Sequence, residues 1–322
     1  MGSQKSNQHF ITKIKENIST IIVGKEEILD FIMTSIVAGG HILLEDVPGT
    51  GKTVLAKSLA GSIEAEFSRI QITPDLLPSD VVGLNYFNQK AGDFVLKKGP
   101  VFGNIVLADE INRATPRTQS SLLECMEERQ VTIDGQTQRL GMPFLVIATQ
   151  NPVETAGTFP LPEAQLDRFL MKLSMGLPGK EEEVAIMERF LADTYMIDRT
   201  KELSPVCNCS DLLAMQWEAA EVYVHKLILE YISDIIQATR NHPAIKLGVS
   251  PRGTLAMLRA AKAYAYVCGR NYVVPEDIKA LAVPVFAHRL VIASGFSGEA
   301  EKRNIVTEIV AKTEVPTEEW QK

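Results

Sequence analysis

Three dense apolar runs punctuate the first part of the chain: His41–Leu44, Ile105–Ala108 and Phe144–Ala148. None alternates with polar residues, and a strand buried on both faces reads this way. Segments of helical spacing separate the runs. That order predicts an α/β fold, with a parallel-sheet core and helices on both of its faces. Two stretches have period two instead. Val82–Val101 alternates around Lys90-Ala91-Gly92, and Gln130–Phe144 turns at Asp134-Gly135, a strong two-residue hairpin signal. Both are read as hairpin insertions, near 82–101 and 130–144.

The texture changes after Asp198–Asp211 (DRTKELSPVCNCSD), a polar stretch without clear period that is read as a linker. Beyond it Leu227, Tyr231, Ile235 and Thr239 recur every four residues, with Ile228, Ile232 and Ile236 beside them. Ser250-Pro251 reads as a helix cap followed by proline at the first helical position, and Gly269 closes that helix. Pro275-Glu276-Asp277 opens another, with acids suited to the positive end of the helix dipole, and Pro284 ends or kinks it. The expected organisation is a core over 1–200 and an all-α domain over 201–322. No internal repeat or low-complexity segment is present.

Composition narrows the class. Of 322 residues, 45% are hydrophobic and 23% charged, as in ordinary soluble globular proteins. A net charge of -7 argues against a general nucleic-acid binder. Cys125, Cys207, Cys209 and Cys268 form no C-x-x-C pair, which suits reduced thiols in a cytoplasmic protein. Residues 1–10 are polar and no apolar signal segment follows. The apolar stretch Ile28–Leu44 is broken by Asp30, Gly39, Gly40 and His41, so no membrane insertion is expected. Met1-Gly2 with Ser6 fits a myristoylation pattern, but three positions are weak support and a plain terminus is the preferred reading.

Glu45–Thr53 reads EDVPGTGKT. It ends like the phosphate loop G-x-x-x-x-G-K-[ST], but Asp46 stands where the first glycine belongs. The context is right: His41–Leu44 supplies a strand, and Val54, Leu55, Leu59 and Ala60 a helix that Gly61 is expected to stop. Gly49 and Gly51 let backbone N–H groups approach phosphate oxygens. Lys52 would then reach the β- and γ-phosphates, and Thr53 would offer its hydroxyl to Mg²⁺.

Further chemistry comes from other strands. Ile105–Ala108 runs into Asp109-Glu110, delivering two carboxylates to a strand end, where ligands of open α/β sheets bind. Asp109 suits the Mg²⁺ shell and Glu110 suits polarising an attacking water. Phe144–Thr149 ends in Gln150-Asn151-Pro152, and an amide at that tip suits orienting the water. Leu161–Phe169 (LPEAQLDRF) carries Arg168. Arg252 follows Ser250-Pro251 in a first helical turn, where a cation is disfavoured unless an anion lies near. A solvated arginine fits the spacing equally well. No N-K-x-D guanine-reading motif occurs.

Together these blocks resemble the AAA+ ATPases, and specifically the MoxR family. The resemblance runs from about Ile21 to Leu290 through VGKEE, GGHILLEDVPGTGKT, TPDLLPSDVVG, KGPVFGNIVLADEINRATPRTQSSLLECMEERQVTIDG, FLVIATQNP, LPEAQLDRF, GVSPRG, GRNYVVPEDI and HRL. The family's loop often lacks the first glycine, so Asp46 reads as a family variant that points away from the phosphates and braces the turn. The resemblance implies a P-loop NTPase core followed by a helical lid, assembled into a homo-oligomeric ring that is usually hexameric, with ATP and Mg²⁺ as cofactors. It implies nucleotide contacts at Val23, Gly24, Val47, Pro48, Gly49, Thr50, Gly51, Lys52, Thr53, Val54 and Arg252, and metal contacts at Thr53 and Asp109. It makes Asp109 and Glu110 the Walker B pair, Asn151 sensor 1, Arg252 sensor 2 in cis, and Arg168 an arginine finger in trans. Arg113 and Arg117 are open between interface and structural roles. The implied function is ATP-driven, chaperone-like remodelling or maturation of partner complexes, together with proteins carrying von Willebrand factor A domains. The alternatives are a nucleotide-dependent scaffold and a nucleic-acid motor.

Overall fold

The computed structural model describes residues 7–47, 49–90, 92–152, 157–192, 200, 202–293 and 298–316. The chain opens with α1 (His9–Ser19), α2 (Glu26–Val37), β1 (Ile42–Glu45), α3 (Lys52–Ser62), β2 (Ile63–Glu64) and β3 (Phe67–Gln71). There follow α4 (Pro78–Val82), β4 (Gly83–Asn88), β5 (Asp93–Lys98), β6 (Ile105–Asp109), α5 (Pro116–Glu128), β7 (Gln130–Ile133), β8 (Gln136–Arg139) and β9 (Leu145–Gln150). Next come α6 (Glu163–Leu166), β10 (Met171–Leu173), α7 (Lys180–Ala192), β11 (Cys207–Asn208), α8 (Cys209–Ala220) and α9 (Lys226–Asn241). The chain closes with β12 (Ile245–Leu247), α10 (Pro251–Val267), α11 (Pro275–Phe286), β13 (Val291–Ile292) and α12 (Glu299–Lys312).

The three apolar runs become β1, β6 and β9, the inner strands of a parallel sheet in the order β10-β1-β9-β6-β3. Side chains alternate between faces along a strand, so each run feeds two cores. Ile42, Leu44, Ile105, Leu107, Leu145 and Ile147 join a cluster with α1, α2 and α3. Leu43, Val106, Ala108, Val146 and Ala148 join another with α4, α5 and β7. The predicted parallel core with helices on both faces is thus present.

Both insertions are hairpins. β4 pairs with β5, and β7 pairs with β8 through Asp134-Gly135, whose φ angles of 48° and 77° suit a tight hairpin turn. Two expectations need correction. Gly61 does not stop α3, which runs on to Ser62, whose Oγ donates to the Ser58 carbonyl at 2.7 Å. The expected linker is structured in its second half, where Cys207–Asn208 pairs with Ile63–Glu64 and Asn208 with Asp211 forms the capping box of α8. Capping residues and loop residues have the same polar chemistry, which disguised the boundary. In the helical part, Ser250 caps α10, Gly269 follows it at φ 80°, and Pro284 lies two residues before the end of α11.

The sheet and the helical part share apolar packing. Residues of α8, α9, α10, α11 and α12 belong to the same cluster as Ile42 and Leu44. The rings of Phe31 on α2 and Tyr264 on α10 stack with centroids 6.0 Å apart. All four cysteines are free, and burial pushes the Cys125 and Cys207 thiols up to about 12. Among the described residues no helix is long and apolar enough to cross a membrane.

Candidate nucleotide-binding and hydrolysis site

β1 ends at Glu45 and the chain turns through Asp46, Val47 and Gly49–Gly51 into α3. Pro48 lies outside the described residues. Gly49 and Gly51 sit at φ 87° and 86° with nothing within 4 Å of the missing Cβ, so conformation and not crowding requires glycine there. Gly51 caps α3, which aims the free amides and positive dipole end of that helix at the loop, a ready anion site. Lys52 Nζ donates to the carbonyls of Asp46 (2.8 Å) and Val47 (3.3 Å), and Thr50 Oγ1 to that of Val47 at 3.4 Å. Thr53 follows in the first turn of α3. Val54 is 38% exposed, so it belongs to the loop face and not to the core.

Sheet register brings other candidates to the same edge. Glu45 lies opposite Gln150 and Gln71 opposite Asp109, while β6 runs beside β9, so the C-terminal ends of β1, β9, β6 and β3 coincide. Asp109 is held on both oxygens, by Thr149 Oγ1 at 2.7 Å and by Arg69 at 2.7 Å. Thr149 Oγ1 also accepts the Glu110 amide at 2.9 Å. Glu110 occupies a left-handed φ of 62°, and its carboxylate pairs with Arg113 Nε at 2.9 Å. Arg113 therefore has a partner inside its own chain, whereas Arg117 is exposed in the first turn of α5. Asn151 is buried directly beyond β9. For Mg²⁺, Thr53 and Asp109 are fitting donors: hard oxygens, one carboxylate, with phosphate and water left to complete an octahedron. The Arg69 guanidinium on Asp109 shows that this carboxylate already draws a cation.

The segment Val23-Gly24 lies near the connection from β10 to α7. Gly24 and the adjacent Lys25 are both left-handed at φ 67°, and Lys25 Nζ reaches Glu182 (3.2 Å) and the Leu177 carbonyl (3.3 Å). Asp46 faces the same connection and accepts three hydrogen bonds from it.

The two arginines stand elsewhere. Arg168 Nε lies 3.0 Å from one oxygen of Glu127, and Arg252 pairs with the other. Both line a cavity of about 210 Å³ together with Gly39, Gly40 and His41, which precede β1. The phosphate loop follows β1, and four strand residues span about 13 Å. Arg252 thus sits with Arg168 near the N-terminal end of β1, whereas its own phosphate loop follows the C-terminal end of that strand. Ser250, the cap of α10, explains this, since its hydroxyl donates to Asp167 at 3.0 Å and carries Arg252 with it.

Sequence reasoning missed the residues that hold these arginines. Glu127 joins them, and Asp167 anchors the turn through Arg289, whose Nε donates to Asp167 Oδ1 at 2.7 Å. Arg289 also donates to the carbonyls of Phe169, Leu170 and Val285. Burial lowers its value to about 10, against the opposing pull of Asp167. The available signal was the HRL block, which carries Arg289 far along the chain from LPEAQLDRF.

Comparison with known proteins bears on the fold and the family. The model of the ATPase family associated with various cellular activities (AAA) matches residues 41–171, and the AAA lid domain model matches 237–309. Protein YeaC of Bacillus subtilis, which is uncharacterized, is 48% identical over 99% of this chain and 98% of its own. Chaperone MoxR1 of Mycobacterium tuberculosis is 38% identical over 95% and 82%, and Protein MoxR of Paracoccus denitrificans 30% identical over 88% and 89%. A crystal structure from Cytophaga hutchinsonii superposes with a TM-score of 0.87 at 39% identity, covering 97% of this chain and 96% of that one. A P-loop core continuous with a helical lid, and similarity to Chaperone MoxR1 and Protein MoxR along most of the chain, lead to one assignment: this chain belongs to the MoxR family of AAA+ ATPases.

Proposed function

We propose that the protein hydrolyses ATP in a head-to-tail homo-oligomeric ring, hexameric as the family resemblance implies, and uses the cycle to remodel or mature partner protein complexes. The observation that supports this reading is that two groups of candidate residues lie at opposite ends of the sheet strands, one at the C-terminal ends and the other beside Gly39–His41, which precede β1. In this reading the end with Lys52, Thr53, Asp109, Glu110 and Asn151 binds and cleaves, while Arg168 and Arg252, paired with Glu127 at the other end, serve a neighbouring protomer. A heterologous contact that repeats around a closed ring brings one end against the other.

Within a completed site Lys52 exchanges its loop carbonyls for phosphate oxygens. Glu110 polarises the attacking water, and Asn151 orients it. Arg168 and Arg252 of the adjacent protomer stabilise charge on the transferred group, a contribution of about 10³–10⁵ in rate for an arginine finger. Mg²⁺, held by Thr53 and Asp109, would neutralise charge on the terminal phosphates.

The β4–β5 hairpin supports a role toward proteins. It exposes Tyr86, Phe87 and Phe94, the last two with ring centroids 5.5 Å apart. Such exposed aromatics suit a protein surface better than a phosphate backbone. Separate proteins with von Willebrand factor A domains are the partners proposed from the family resemblance, and the cytoplasm is the proposed location.

Mixing two inactive variants tests the reading. Lys52→Ala holds its own nucleotide too weakly to turn it over, and Arg168→Ala cannot serve its neighbour. If the arginine acts across the interface, the mixture regains ATPase activity that neither variant has alone. Wild-type activity per protomer that stays constant on dilution to monomer would overturn the shared site.

A further inference from the structure

Asp46 occupies the position that breaks the phosphate-loop pattern, and its surroundings assign it a task. It is 5% exposed. Its side chain takes Ser174 Oγ at 2.8 Å and the Gly176 amide at 3.0 Å on Oδ1, and the Met175 amide at 2.6 Å on Oδ2. Its carbonyl accepts Lys52 Nζ at 2.8 Å, and its amide donates to the Gln150 carbonyl at 3.2 Å. One residue thus touches the phosphate-binding lysine, the strand end that carries Asn151, and the connection leading to α7.

That connection continues to the Val23-Gly24 segment. Leu177, next after Gly176, gives its carbonyl to Lys25, and Glu182 of α7 takes Lys25 Nζ and the Gly179 amide at 2.9 Å. Glu182 packs so closely on Gly24 that an added Cβ would lie 1.9 Å from its carboxylate. A continuous polar path therefore runs from Lys52 through Asp46, Ser174–Gly176 and Lys25 to Gly24. Glycine at position 46 would keep the backbone contacts and lose the three side-chain bonds.

We propose that Asp46 is a positioning residue that fixes the base-side segment Val23–Lys25 in register with the phosphate loop, so that the adenine and the phosphates of one nucleotide are gripped together. This rests on the ATPase reading, with the base beside Val23 and Gly24. Hydrogen bonds to a charged acceptor are among the strong ones, and three of them converge here.

The test compares full-length wild type with Asp46→Gly for binding of ATP and of inorganic triphosphate, which has phosphates but no base. The expected result is that Asp46→Gly loses about tenfold of the preference for ATP over triphosphate, a change of about 1.4 kcal/mol, with triphosphate affinity within about twofold of wild type. Ser174→Ala removes one of the three donors and leaves Asp46 in place, so it serves if Asp46→Gly does not fold. It should shift the same ratio in the same direction by less. Equal proportional losses for ATP and triphosphate would overturn the proposal, since a merely structural brace harms both alike. An unchanged ratio would overturn it too. Wild-type protein that binds triphosphate but gains nothing from the base would overturn the base-side placement alone and the proposal with it; wild-type protein that binds neither would overturn the ATPase reading as well.

Discussion

Lys52 directs its ammonium group at the backbone carbonyl of Asp46, 2.8 Å away, so the lysine proposed to serve phosphate is parked on neutral oxygens of its own loop. No carboxylate has to be displaced for it to turn to an anion. Lys52→Ala should therefore weaken ATP binding by at least about tenfold, as expected when a charge-assisted contact is lost. Its melting temperature should stay within a few degrees of wild type. Titration calorimetry and a thermal melt check the two halves.

Glu110→Gln keeps the size of the side chain and removes its charge. It should bind ATP as wild type does and hydrolyse it about 10²-fold or more slowly, the usual scale for a general base. Chromatography of nucleotide extracted from the incubated variant should find ATP where wild type holds ADP.

Arg289 is nearly buried, and its planar fork serves Asp167 and three carbonyls at once. A lysine there keeps the charge and loses the fork. Arg289→Lys should lower stability by up to about 3 kcal/mol, the lower end for breaking a buried pair. It should also reduce ATPase activity while leaving ATP affinity unchanged, because Arg289 steadies the turn that carries Arg168. Loss of ATP binding in a folded variant would contradict this.

His41 is buried between Met126 and Val146: its Nδ1 accepts the Val146 amide at 3.0 Å, which leaves Nε2 to donate to the Met126 carbonyl at 2.9 Å. Burial lowers it from 6.5 to about 4, and burial lowers His288 as well. The unfolded chain therefore takes up protons that the folded one refuses. Stability should be full above pH 6.5 and fall as pH drops toward 4, by about 3 kcal/mol for His41 alone. Chemical denaturation across that range should show the slope, and His41→Gln should flatten it.

The inner strands were legible because β1, β6 and β9 are apolar on both faces. β3 and β10 were not: β3 has Ile70 as its one buried residue, and β10 is three residues long. The phosphate loop, Asp109, Glu110 and Asn151 were legible because each lies at a strand end whose position follows from local pattern. The placement of Arg252 was not, because it depends on Ser250 meeting Asp167 across 83 residues of sequence. Local spacing carries no trace of such a contact.

The apolar cluster that begins on one face of β1 and passes through α2 to α10 and α11 has a mechanical consequence. With Phe31 packed on Tyr264 and Ile42 in the same core as Met257, core and lid cannot swing apart without wetting that seam. In the proposed ring each protomer would then behave as a stiff gear tooth. The work of the proposed nucleotide cycle would be delivered where one tooth meshes with the next, and a chain cut at residue 200 would be left with half a tooth, its inner surface bare to water.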